Sequence, residues 1–121
     1  MAQKNEGRKD DNGKLQWSLV PWDAMAEVVK VLMYGANKYG AQNWKQVPDG
    51  LARYGDALLR HVISYIQGNR ADIESGLPEL AHIATNALFL LWVTLENERL
   101  EAMNNITVKY LEGEEDEMEI K

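Results

Sequence analysis

Leu77-Pro78-Glu79-Leu80-Ala81-His82-Ile83-Ala84-Thr85-Asn86-Ala87-Leu88-Phe89-Leu90-Leu91-Trp92-Val93-Thr94-Leu95 is the stretch on which the fold turns. Its apolar residues surround almost the whole helical circumference and run on to about Glu98, the pattern of a helix buried on most sides. Glu79, His82 and Asn86 interrupt it. At about 100° per residue, offsets of three and seven put these side chains on one stripe about 60° wide. An unpaired polar group taken out of water costs about 1 to 3 kcal/mol. The stripe therefore needs partners: one another, a water or a ligand.

Working outward, Leu51 to Gly68 reads as a second helix, with Asp49 as its N-cap and Gly68 as its stop. Leu51, Leu58, Leu59, Val62, Ile63 and Ile66 give it a broad apolar face. Asp56 and Arg60 stand four apart and can pair on the surface, or Arg60 can meet a phosphate. His61 is either a hydrogen-bonded core histidine or a ligand. The linker Asn69 to Gly76 is short enough to predict antiparallel helices. Within it Ser75 is expected to cap the following helix, with Pro78 in the first turn and Glu74 and Glu79 near the positive end of the dipole. Asp72, Glu74, Glu79, His61 and His82 supply three carboxylates and two imidazoles within 22 positions. Such a set suits Mg²⁺ or Mn²⁺ if the carboxylates dominate, and a softer ion if the histidines do.

Upstream, residues 1–14 mix charges with two glycines and almost nothing apolar, predicting a mobile arm. Leu15 to Val20 is a short apolar lead-in. A first helix is expected from Pro21, with Met25, Val28, Val29, Leu32 and Ala36 as its buried stripe and Gly40 at its end. The loop Lys38-Tyr39-Gly40-Ala41-Gln42-Asn43-Trp44-Lys45 has two readings. Its aromatics and lysines can stack on a base and neutralise a phosphate. Alternatively, it is a structured loop whose Trp44 caps the core.

The 121 residues, 45 % hydrophobic and 26 % charged, fit one soluble globular domain. The absence of cysteine excludes disulfides, thiolate metal sites and a cysteine nucleophile. A net charge of -6 argues against a nucleic-acid polymer as partner, because such binders need a basic face. Met1 to Glu6 lacks an apolar run, so no signal peptide is expected. Glu79, His82 and Asn86 make Leu77 to Leu95 a core helix rather than a membrane span. From Asn104 the chain turns acidic. Ile106 to Leu111 is expected to form a short strand or pack on a neighbouring subunit, and disorder is expected beyond Gly113. The resulting division is an arm (1–14), an all-α domain (15–104) and an acidic tail (105–121).

Tyr34-Gly35-Ala36-Asn37-Lys38-Tyr39-Gly40, Asn43-Trp44, Arg60-His61, Asp72-Ile73-Glu74-Ser75-Gly76-Leu77, and His82 and Asn86 followed by Ala87-Leu88-Phe89-Leu90 together resemble the phage dATP/dGTP diphosphohydrolase family. The resemblance runs from about Gly13 to Trp92, and its most specific part is the Asp-x-Glu-Ser-Gly-Leu block with the histidine and asparagine that follow. It implies an all-α, compact helical bundle of the MazG-like group and Mg²⁺- or Mn²⁺-dependent cleavage of a purine deoxynucleoside triphosphate to the monophosphate and pyrophosphate. The setting it implies is the cytoplasm of an infected host, where such phages shape the nucleotide pool. Better-known MazG-like enzymes hold metal with Glu-Glu-x-x-Glu on one helix and Glu-x-x-Asp on the next. Here the first set is missing and the second place reads Glu79-Leu80-Ala81-His82. His61, Asp72, Glu74, Glu79 and His82 are then the expected metal ligands, and Glu74, His61 and Arg60 the catalytic groups. Lys38, Tyr39, Asn43, Trp44, Arg60 and Asn86 are expected to bind substrate.

Two other classes compete. An HD-type phosphohydrolase needs adjacent His-Asp ligands, which neither His61-Val62 nor His82-Ile83 supplies. A non-enzymatic, acidic helical protein that binds a host factor needs no site at all. A three-helix layer leaves Phe89, Trp92 and Val93 short of partners, so self-association into a dimer or tetramer is also expected.

Overall fold

A computed structural model describes residues 6–119, with side chains described for residues 6–113. Three helices make the fold: α1 (Trp22–Tyr39), α2 (Gly50–Ile66) and α3 (Glu79–Glu119). Single 3-10 turns at Trp17–Leu19 and Asn43–Gln46 precede α1 and α2, and no strand occurs among the described residues. The expected all-α class is what is found. Residues 1–5, the start of the expected arm, and 120–121, the end of the acidic tail, lie outside the described residues.

Pro21 opens α1, its carbonyl accepting the Met25 N–H at 2.9 Å, and Gly40 closes it. At φ 96° Gly40 adopts a backbone that a Cβ would strain, and its N–H reaches the Ala36 carbonyl at 2.8 Å. Val28 and Val31 are the buried residues of α1, whereas Val29 is exposed. The expected stripe was thus rotated by part of a turn, because α1 leans on α3 with a narrow edge and offers the cleft its flank.

α2 and α3 run antiparallel, as the pairings His61 with Glu79, Tyr54 with Phe89 and Gly50 with Val93 show. The start of α2 lies against α3 at Val93, where a Cβ on Gly50 would meet the Val93 side chain at 3.4 Å, an ordinary contact. Asp49 does occupy the N-cap position, but in the left-handed region (φ 55°) and without a side-chain cap bond. Its contribution is to turn the chain. Gly68 (φ 101°) ends the segment, its N–H bonded to the Tyr65 carbonyl.

The linker from Asn69 folds back on itself. Asp72 N–H donates to the Leu77 carbonyl, Gly76 N–H to the Asp72 carbonyl and Glu79 N–H to the Arg70 carbonyl, each at 2.8 Å. Ser75 does not cap α3 as expected, because its hydroxyl is engaged by Asp72 and His82. At the start of α3 the Glu79 N–H is met by Arg70, and the Pro78 carbonyl accepts from Ala81 and His82.

α3 is far longer than its apolar run. Forty-one residues span about 60 Å, more than twice the length of α2. Ile106 to Leu111, expected as a strand, is helical, and the helical backbone continues past Gly113 to Glu119, where disorder was expected. No proline interrupts it, and local bonds such as Arg99 to Glu96 and Thr107 to the Met103 carbonyl keep it regular. Every residue from Asn97 to Gly113 is exposed, so this half of the helix projects from the bundle. No described helix is long and apolar enough to cross a membrane.

The best-buried positions are Val28, Val31 and Ala81 together with Glu79, His82, Thr85 and Asn86. The centre of the bundle is therefore largely polar, and it is built from the interrupted stripe of α3.

Candidate active site

Thr85 and Asn86 are buried, and each turns a donor back on its own helix. Thr85 Oγ1 donates to the Ala81 carbonyl at 2.7 Å and Asn86 Nδ2 to the His82 carbonyl at 2.8 Å. Glu79, only 1 % exposed, instead reaches across to α2, where its Oε2 lies 2.9 Å from His61 Nδ1. A carboxylate only accepts, so Nδ1 carries the hydrogen in this pair. The His61 and His82 rings stack at 4.5 Å and 11°.

The loop supplies the third member. Asp72 Oδ2 accepts the Ser75 N–H at 2.8 Å and the Ser75 hydroxyl at 2.9 Å, the turn that aspartate forms with a residue just downstream. With its own hydrogen committed to Asp72, the Ser75 oxygen accepts from His82 Nε2–H at 2.7 Å. His82 is thereby fixed as the Nε2-protonated tautomer. Burial pulls the Asp72 carboxyl upward, but Ser75 and then the two imidazoles outweigh it and hold the group below its usual range. Burial, followed by the nearby His61 ring, pushes the His82 imidazole below its usual value.

One ligand atom each from His61, Asp72 and Glu79 lies within 4.8 Å of the others. Two ligands on opposite sides of a small divalent ion stand about 4.3 Å apart, so the trio fits such an ion after small movements. Two carboxylates with one imidazole suit Mn²⁺ and, with retained waters, Mg²⁺. The same groups can hold either the proton on His61 Nδ1 or a cation, because metal binding releases protons.

A cleft of about 910 Å³ opens beside the trio, between α1, the Gly40–Val47 loop, α2 and α3. Lys38, Tyr39, Asn43, Trp44, Arg60, His61, Glu74, His82 and Asn86 all line it. The geometry departs from expectation at Glu74 and bears on two alternatives left open by the sequence. Glu74 does not join the trio: it sits on the rim, accepting from Tyr34 Oη at 2.9 Å and paired with Lys38. Lys38, then Tyr34, hold the Glu74 carboxyl below its usual range, and Glu74 in turn raises both partners. Trp44 stacks on Phe89 at 4.4 Å and meets Trp92 edge-on at 5.1 Å, which is the core-capping alternative. Asp56 and Arg60 form no ion pair among the described residues, and both face the cleft. That leaves the Arg60 guanidinium available to an anion.

Tyr34, Arg53 and Ser75 belong to the site although the residue pattern did not single them out. The Asp72-x-x-Ser75 spacing carried a usable signal, since it marks a side-chain-closed turn as readily as a helix cap. Tyr34 opens the family-like string without its tie to Glu74 being readable there, and Arg53 gave no signal, because only the packing of α1 and α2 around the cleft brings them in.

Residues 4–103 match the family model described as "dATP/dGTP diphosphohydrolase, N-terminal". A protein of Salmonella phage PMBT28 named "dATP/dGTP diphosphohydrolase" is 38 % identical over 87 residues, which is 72 % of this chain and 29 % of that relative. The chain thus spans under a third of the curated relative it matches. No solved structure matches it. The matched region ends before the projecting tip of α3 and contains every residue of the cleft, and the chain belongs to the dATP/dGTP diphosphohydrolase N-terminal family.

Proposed function

We propose that the cleft binds a purine deoxynucleoside triphosphate, dATP or dGTP, and hydrolyses it to the monophosphate and pyrophosphate in the presence of Mg²⁺ or Mn²⁺. The observation that carries this reading is the convergence of His61, Asp72 and Glu79 beside a cleft that His61 lines, with Lys38, Arg53 and Arg60 on the cleft's walls. Hydrolysis places negative charge on the departing pyrophosphate, so cationic groups on the walls are what the reaction requires. His61, Asp72 and Glu79 would hold the ion. When bound, it would supply Lewis-acid stabilisation of phosphate oxygens and a more acidic water.

The remaining residues position and neutralise. Arg60 offers a planar fork to a phosphate, while Lys38, steadied by Glu74, offers a point charge at the rim. The proposal therefore gives Glu74 the task of orienting Lys38. His82, held by Ser75, keeps a ring face against His61 and restricts its rotation. Tyr39 and Asn43 face the cleft where a base would enter, with Trp44 fixed behind them.

The proposal includes self-association and the cytoplasm of an infected cell as its setting, with no membrane or nucleic-acid polymer as partner. The chain exposes 10408 Å², whereas a folded monomer of 13.8 kDa exposes about 6,600 Å². Part of that excess is the projecting half of α3, whose Leu100, Met103 and Ile106 are exposed and would be covered by a second copy packed there.

Nucleoside triphosphates assayed for pyrophosphate against inorganic phosphate, with and without Mg²⁺ and Mn²⁺, test the reading. Metal-dependent pyrophosphate release from dATP or dGTP is the expected result. No release from any deoxynucleotide, together with no divalent-ion binding by calorimetry, overturns it in favour of an interaction protein.

A further inference from the structure

Asn86 is 7 % exposed, yet it lines the cleft. Its amide orientation follows from chemistry: the His82 carbonyl can only accept, so the group 2.8 Å from it is Nδ2. Oδ1 must point the other way. No donor reaches it among the described hydrogen bonds, and no fully buried side-chain oxygen or nitrogen lacks a partner. Oδ1 is therefore open to the cleft, an acceptor held on the wall of a rigid helix with nothing yet to accept.

Its place along α3 indicates what it meets. Glu79, His82, Asn86 and Phe89 lie at offsets of zero, three, seven and ten, within about 80° of one another and over about 15 Å of helix. The charged trio is at one end of this line. At the other, Phe89 packs with Trp44 and with Tyr54, whose ring centroid is 4.9 Å away. A nucleotide whose phosphates face the trio and the basic walls lays its base toward the aromatic end, and its path crosses Asn86.

We propose that Asn86 Oδ1 reads the base by accepting an N–H from its edge, so the cleft selects bases that carry such a donor: the 6-amino group of adenine, or N1–H and the 2-amino group of guanine. This rests on the proposed nucleotide hydrolysis and deepens it to a recognition atom. Unsubstituted purine has no donor on that edge. A buried acceptor left empty by such an analogue is penalised more than a mere loss of contact would be.

The test compares dATP with the deoxyribosyl-purine triphosphate that has hydrogen in place of the 6-amino group. The variants are Asn86→Thr and Asn86→Ala. A threonine here can bond back to the His82 carbonyl as Thr85 does to that of Ala81, so Asn86→Thr removes the amide oxygen while keeping the helix bond. The parent should prefer dATP by about tenfold or more in kcat/KM, carried mainly by KM. In Asn86→Thr that preference should collapse to near unity, and Asn86→Ala should agree wherever it folds by circular dichroism. A parent that handles both nucleotides equally overturns the proposal, as does an Asn86→Thr variant that keeps the preference. A drop seen only with 2′,3′-dideoxy-ATP also overturns it, assigning the acceptor to the sugar. If no nucleotide is hydrolysed, the hydrolytic reading fails separately and calorimetric affinities for the same pair decide the role of Asn86. No binding of either nucleotide overturns both.

Discussion

Glu79→Gln separates the candidate metal site from an ordinary buried hydrogen bond. The carboxylates of Asp72 and Glu79 offer atoms within 4.8 Å of each other. At an effective dielectric of about 20, two like charges at that separation repel by about 3.5 kcal/mol, and the partly exposed Asp72 lowers this toward about 2. Glutamine keeps the shape and removes the charge. In chelator, the variant should therefore melt no lower than the parent, although it has lost a charge-assisted bond to His61. With Mn²⁺ at about one hundred times its dissociation constant, the parent should gain about 2.7 kcal/mol. For a chain of this size that is about 10 °C in Tm. If loss of one of three protein ligands weakens affinity by about a hundredfold, nearly all of the gain disappears. Scanning calorimetry of both proteins, with chelator and across a Mn²⁺ titration, reads all four values. A Glu79→Gln protein that keeps the full Mn²⁺ shift, or a parent with no shift, refutes the trio as a cation site.

Because burial and the neighbouring His61 lower the His82 pKa, the unfolded chain binds more protons than the folded one between that lowered value and about 6.5. Stability should be full above about pH 6.5 and fall as the pH drops through that window; urea midpoints in His82→Gln should lose this slope, and an unchanged slope would contradict it. Trp44→Ala should cost about 2 to 3 kcal/mol through the lost Phe89 and Trp92 contacts. A change in nucleotide affinity with no change in urea midpoint would return Trp44 to base stacking. Ile106 is 69 % exposed on the projecting half of α3, in line with Leu95 and Met103, so Ile106→Glu should shift sedimentation from an oligomer to a monomer. A parent that already sediments as a monomer removes the proposed self-association.

The chain alone determined that the domain is helical, where α1 ends and that α2 and α3 form an antiparallel pair, because each depends on local chemistry. Gly40 and Gly68 tolerate positive φ, Pro21 suits a helix start, and the polar line through an apolar run needs only the 3.6-residue period to be seen. That line was also the legible part of the site: Glu79, His82 and Asn86 on one face, with His61 and Asp72 as candidates to meet them. Only the tertiary arrangement sorted the candidates. Sequence spacing cannot say that the linker closes on itself and turns Asp72 toward the histidines while leaving Glu74 on the rim with Lys38 and Tyr34. Nor can it say that Trp44 faces Phe89, or that Arg60 faces the cleft without pairing with Asp56. These outcomes depend on contacts between residues tens of positions apart, whose energies compete only once the helices have packed. The projection of α3 escaped the sequence for the converse reason: without a packing partner to mark it, a helix end shows only its weak local propensities, and those read like an acidic tail.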